Sequence, residues 1–149
     1  MRPIPRLHAA AGLVAMAAIV TLQGLTALSE TSGYGADILL MRERVLWIVG
    51  LVLLPAMMAA GLSGFRLGRG WRRPEVAAKA ARMRIIAAIG LLILLPLAVG
   101  LWWLAAQGMI EGRFHLLQRI ESLAGLVNLL LLGLNLRDGM RLRPRRQAA

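Results

Sequence analysis

Within RIESLAGLVNLLLLGLNLRDG, residues 119–139, three polar residues fall at intervals of seven: Glu121, Asn128 and Asn135. Seven residues of α-helix turn through about 700°, so each step drifts by only about 20°. The three therefore share a narrow arc, with Gln118 and Gly125 close to the same face. A carboxylate and amides on one face of an apolar helix support two kinds of chemistry. They can line a polar pocket or a proton-accessible site. They can also bond across to neighbouring helices, each amide contributing about 0.6 kcal/mol and at most about 2. A carboxylate at the centre of a bilayer costs about 2.5 to 3.5 kcal/mol. Glu121 falls roughly 7 to 9 Å inside the outer boundary, and Asn128 near the midplane. The cost falls toward the interface, so Glu121 is tolerated there if paired or protonated, and Arg44, or Arg42, at the outer start of the second apolar run is the candidate partner. Arg119 is two residues from Glu121 and points elsewhere, its stem snorkelling outward. Asn135 lies with Arg137, Asp138 and Gly139 where the helix leaves the membrane.

Other reactive groups are few. There is no cysteine, which excludes disulfides, thiol catalysis, thiolate-held zinc and iron–sulfur clusters. His8 and His115 open different apolar runs from opposite sides and cannot hold one haem iron between them. Haem b would need a His–Met pair such as His115 with Met109 or Met57, which no spacing recommends. No cofactor or metal is expected. GRGWRR is a basic turn rather than a phosphate loop, and no Ser/His/Asp set has workable spacing. No catalytic residue is assigned, and an enzyme is not indicated.

The elements that must position these groups are apolar. Of the 149 residues 58% are hydrophobic, and mean hydropathy is +0.67, more than an ordinary soluble domain carries. About 20 apolar residues of helix cross a bilayer core about 30 Å thick. Four runs qualify, at about 9–28, 45–65, 85–106 and 116–136. Strands are disfavoured, because no alternating ten-residue segments are present. A net charge of +11 would point to nucleic acid in a soluble protein. Here the charge sorts by loop. Two basic residues precede the first run, seven lie between the second and third, and five follow the fourth, fourteen of eighteen in all. The remaining four, Arg42, Arg44, Arg113 and Arg119, share the other side with Glu30, Asp37, Glu43 and Glu111. The positive-inside rule then puts both termini in the cytoplasm. Trp47, Trp102 and Trp103 fall at the outer interface, and Trp71 falls in the basic inner loop. The first run resembles a signal peptide, but Leu25-Thr26-Ala27 is a poor cleavage site and the run is long, so it is expected to stay as a span. RRPEVAAKAARMR reads as a basic helix starting near Pro74 and leading into the third span, touching anionic lipid.

Close helix packing in lipid uses small residues. Ala56, Ala60, Gly64 and Gly68 repeat every fourth position of the second span, and Ala11, Gly12, Ala15 and Ala18 enrich the first. Pro55 and Pro96 end the similar strings GLVLLP and GLLILLP and predict mid-span kinks.

The residues Lys79-Ala80-Ala81-Arg82-Met83, Gly90, Pro96, Gln118, Glu121, Gly125, Asn128 and Asn135-Leu136-Arg137-Asp138-Gly139 resemble a group of small bacterial four-span membrane proteins of unknown function. The likeness covers about half the chain and implies four spans in the inner membrane, with no activity attached. The expectation is an all-α bundle of four transmembrane helices in one integral domain. Two roles are open. One is a structural or accessory protein that packs with itself or with a larger membrane complex through the Ala56/Ala60/Gly64 face. The other is a small transporter or electron-transfer subunit, with a proton, quinone or haem near Glu121, Asn128 and His115. The partners are the bilayer and other membrane chains, not nucleic acid.

Overall fold

The computed structural model describes residues 3–32, 35–69 and 74–141. Trp71, Arg2, Arg72, Arg73 and the final arginines 143, 145 and 146 lie outside the described residues. Within them the chain is helical, with no strand. Helix α1 is Pro3–Ser32, α2 is Gly35–Ile48, α3 is Leu54–Gly68, α4 is Pro74–Ile89, α5 is Leu95–Ala106 and α6 is Arg113–Arg141. Single π segments, Val49–Leu53 and Gly90–Leu94, join α2 to α3 and α4 to α5. Four helices are therefore long and apolar enough to cross a membrane: Ile4–Leu28, Asp37–Gly68, Val76–Ala106 and Arg113–Met140.

These helices overrun the apolar runs at most ends. Helix α2 starts ten residues before the hydropathy boundary expected at 45, at Gly35. Nothing between Asp37 and Gly50 breaks a helix, and Asp37 in the first turn complements the helix dipole. Arg42, expected in a connection, is thereby carried inside a span. The basic helix expected near Pro74 is present as α4, and it runs unbroken into the third span.

The local break before each proline takes a defined form. The Leu54 amide donates to the Val49 carbonyl, five residues back. The Leu95 amide donates in the same way to Gly90. Pro55 and Pro96 have no amide to give, so one wide turn precedes each and the α-helix then resumes. Helix α5 ends in a Schellman motif. Gly108 takes φ +70°, its amide bonds Ala105 O at 3.0 Å, and the Met109 amide bonds Leu104 O at 2.9 Å.

The spans follow one another round the bundle. The first lies beside the second, the second beside the third, the third beside the fourth and the fourth beside the first. The second and fourth therefore face each other across the middle. Residues near the start of α1 and the end of α6 meet the same basic end of α4, so the start of α1 and the end of α6 lie at one end of the bundle.

The packing is inverted relative to a soluble bundle. Along α6 the buried positions are Phe114, Gln118, Glu121, Gly125, Asn128, Leu132 and Asn135, alternating steps of four and three. That is a heptad seam, and four of its seven side chains are polar. Leu116, Leu123, Leu126, Val127, Leu130 and Leu134 point outward. In lipid this is the stable arrangement, because the surroundings are as apolar as leucine and only polar or small groups gain by facing inward.

The small-residue face is a helix-packing face, as its spacing predicts, and its partner is α1 of the same chain. Ala56 and Ala60 are buried, and α3 packs along α1, whose Ala11, Ala15 and Ala18 are buried in return. The His8 ring lies over Gly64, 3.0 Å from where a Cβ would stand. The Ala56/Ala60/Gly64 face is thus consumed within the chain and is not free for a second protein.

Candidate functional site: a polar seam with two ends

The seam on α6 meets cations at both ends. At the end shared by the starts of α2 and α6, Arg42 is fully buried. Its Nη1 donates to Glu121 Oε2 at 2.6 Å, and its Nη2 donates to Gln118 Oε1. The guanidinium also stands over the Phe114 ring, 5.4 Å from its centroid, a favourable cation–π placement. Gln118 uses its other end to donate from Nε2 to Glu30 Oε1 at 3.1 Å. Four residues from three helices thus form one chain, Glu30–Gln118–Arg42–Glu121. The ion pair crosses the bundle from the second span to the fourth. A bidentate guanidinium suits this position, because one planar fork reaches two acceptors one helical turn apart.

Arg44 was the first candidate for the partner of Glu121. It points outward and is exposed. The reason is helical phase: Arg42 lies one turn before Val45, both on the buried side of α2, and Arg44 lies two residues from Arg42. His115 also faces outward, its ring edge-on to Phe114 at 5.8 Å. It joins neither Glu121 nor Asn128.

At the other end the seam finishes on α4. Arg82 Nη1 donates to Asn135 Oδ1 at 2.9 Å, and its Nη2 bonds Asp138 Oδ2 at 2.6 Å. Asn135 was assigned to the helix exit, and this clamp holds that exit against the third span. Beside it, His8 Nδ1 donates to the Ala60 carbonyl at 3.0 Å and stands 3.2 Å from Ser63 Oγ. A carbonyl only accepts, so the proton resides on Nδ1.

Between the two ends the seam is lightly tied. Asn128 Nδ2 donates to the Ile86 carbonyl at 3.3 Å. Gly125 leaves room for Gln23, whose Nε2 donates to Ser122 O at 2.8 Å. A Cβ at Gly125 would stand 3.1 Å from Gln23 Oε1. Asn128 Oδ1, Asn135 Nδ2 and Arg42 Nε are buried without a hydrogen-bond partner among the described residues.

The seam therefore joins Glu121, Gln118 and Arg42 in one cluster and leaves Asn128 separate. Among the described residues no three His, Asp or Glu side chains gather to hold a metal. His8 and His115 stand at opposite ends of the bundle, so no shared iron is available to them. Sequence reasoning missed Glu30, Gln23, Phe114 and Arg82 as members of the seam. The four-three alternation from 114 to 135 was the signal that would have found Phe114.

A comparison with known protein families, with curated proteins and with solved structures finds no match.

Proposed function

We propose that the chain is a multi-pass structural or accessory protein of a bacterial inner membrane, with both termini in the cytoplasm, that assembles with itself or within a larger membrane complex. One observation carries this reading: the ionic groups of the seam bond to one another. Arg42, Gln118, Glu121 and Glu30 form one chain across three helices, and Arg82 clamps Asn135 and Asp138. A transporter keeps such groups at a cavity, ready to exchange partners. Here they lock helices together. The orientation is supported by the distribution of basic residues, fourteen of eighteen on one side.

Native mass spectrometry after mild detergent extraction tests the assembly. An oligomer or a complex with another membrane chain is expected, and a lone monomer at all protein concentrations refutes it. The chain has no cysteine, so single cysteines report orientation cleanly. Glu111→Cys is expected to react with an impermeant thiol reagent added outside intact cells, and Ala148→Cys only after lysis.

The transport or electron-transfer alternative draws on the two amide atoms left unpaired in the seam, Asn128 Oδ1 and Asn135 Nδ2. A Soret band in the purified protein would favour it in its haem form.

A further inference from the structure

The face between α1 and α6 carries an open groove with mainly apolar walls, into which a few polar and charged groups are set. Its volume is about 480 Å³, and it is lined by Gln23, Thr26, Ala27 and Glu30 from α1 and by Arg119, Ser122 and Leu123 from α6. On α1 the lining positions recur at steps of three, one and three, one continuous helix face. Seven residues from Gln23 to Glu30 rise about 10 Å. The groove therefore descends from the membrane boundary, where Leu28 ends the first span, into the acyl region.

Its two charged groups stand nearest the membrane boundary on each wall. Glu30 stands at the mouth of one wall, and Arg119 projects outward from the other. The Thr26 and Ser122 side chains lie further down, followed by Gln23, which is anchored to the Ser122 carbonyl at 2.8 Å. Ala27 and Leu123 supply the apolar rim. Arg119 makes no hydrogen bond or ion pair among the described residues. A guanidinium at the headgroup level is a phosphate ligand. Glu30 gives one oxygen, Oε1, to Gln118, and a carboxylate has a second oxygen to offer.

We propose that this groove is a binding site for a single zwitterionic aminophospholipid, with its phosphate on Arg119, its primary ammonium on Glu30, and its ester and acyl portions along the mainly apolar walls between α1 and α6. An ammonium next to a phosphate, followed by hydrocarbon, matches a carboxylate and a guanidinium at the mouth of a groove whose walls are otherwise mainly apolar. The site rests on the reading that this end of the bundle lies at a membrane interface. Through Gln118, the same lipid touches the chain that ends at the Arg42–Glu121 pair. An occupied groove would therefore brace α1 against α6 at the end where the ion pair locks α2.

The test uses the full chain in nanodiscs of equal parts phosphatidylethanolamine, phosphatidylcholine and phosphatidylglycerol, released into the gas phase and weighed with its retained lipid. Wild-type protein is expected to keep one phosphatidylethanolamine, about threefold to fivefold over phosphatidylcholine, the factor that one exposed charge contact supplies. Glu30→Gln is expected to keep a phospholipid but lose that preference, and Arg119→Gln to lose retention. Thermal unfolding of each variant shows that the bundle survives, and Arg119, exposed and unbonded, is the variant least able to disturb it. Soluble glycerophosphoethanolamine at the same concentration is expected not to displace the lipid; displacement would overturn the lipid assignment. Equal retention of phosphatidylethanolamine and phosphatidylcholine by the wild type, or an unchanged Arg119→Gln, also overturns it. A protein that fails to retain lipid but remains inserted in the nanodisc defeats this site alone and leaves the four-span reading standing.

Discussion

Replacing Glu121 by leucine should destabilise the bundle more than replacing Arg42 by methionine, and the two changes together should cost less than their sum. Arg42 is fully buried and holds two acceptors, Glu121 Oε2 at 2.6 Å and Gln118 Oε1. Glu121→Leu leaves the guanidinium with Gln118 and the face of Phe114 only. A guanidinium cannot shed its charge, so the variant carries an uncompensated buried cation, at a cost of about 3 to 5 kcal/mol. Arg42→Met strands a carboxyl instead. A carboxyl can take up a proton and become neutral, so the cost falls toward that of the lost charge-assisted bonds, about 1.5 to 3 kcal/mol. In the double variant both charges are gone, and the sum of the single costs should exceed the measured cost by about 2 kcal/mol or more. Reversible unfolding in mixed micelles, followed by far-ultraviolet circular dichroism, supplies the four stabilities of the cycle. Simple additivity, or a larger loss for Arg42→Met than for Glu121→Leu, would refute the reasoning.

Four further outcomes follow from the same geometry. Arg44→Gln should leave stability within about 0.5 kcal/mol of wild type in that assay, because Arg44 is exposed. Gly133→Ala should stabilise by up to about 1 kcal/mol, since a Cβ there meets nothing within 4 Å. Gly125→Ala should destabilise by about 1 kcal/mol, since its Cβ stands 3.1 Å from Gln23 Oε1 and forces Gln23 off the Ser122 carbonyl; opposite signs at the two glycines separate packing from helix propensity. Arg82→Gln should loosen the end of α6, seen as faster amide hydrogen exchange from Asn135 to Gly139, because it removes the ion pair to Asp138 and weakens the hold on Asn135.

The four helices were legible because hydropathy over about 20 residues is a strong signal and the chain has four such runs. The polar line on α6 was legible for the same reason that a heptad is: a repeat of seven fixes a face before any partner is known. Naming the partner was harder. Hydropathy placed the start of the second span at about 45 and left both arginines outside it, so Arg42 and Arg44 looked alike. Only the helical phase of α2, which runs from Gly35, separates the inward arginine from the outward one. The Ala56/Ala60/Gly64 stripe announced close packing but not with whom, and α1 occupies it. Glu30 and Gln23 were invisible for a related reason. Their roles depend on α1 and α6 being neighbours, and a single sequence does not order four helices round a bundle.

The claim that holds the rest together is the ion pair across the middle of the bundle. Dipolar recoupling between the Arg42 guanidinium nitrogens and the Glu121 carboxyl carbon, in protein labelled at both residue types and reconstituted in lipid bilayers, measures it directly. A hydrogen-bonded pair at 2.6 Å from nitrogen to oxygen predicts a nitrogen–carbon distance of about 3.5 Å. No dephasing from that carboxyl, meaning a separation beyond about 6 Å, would contradict the account.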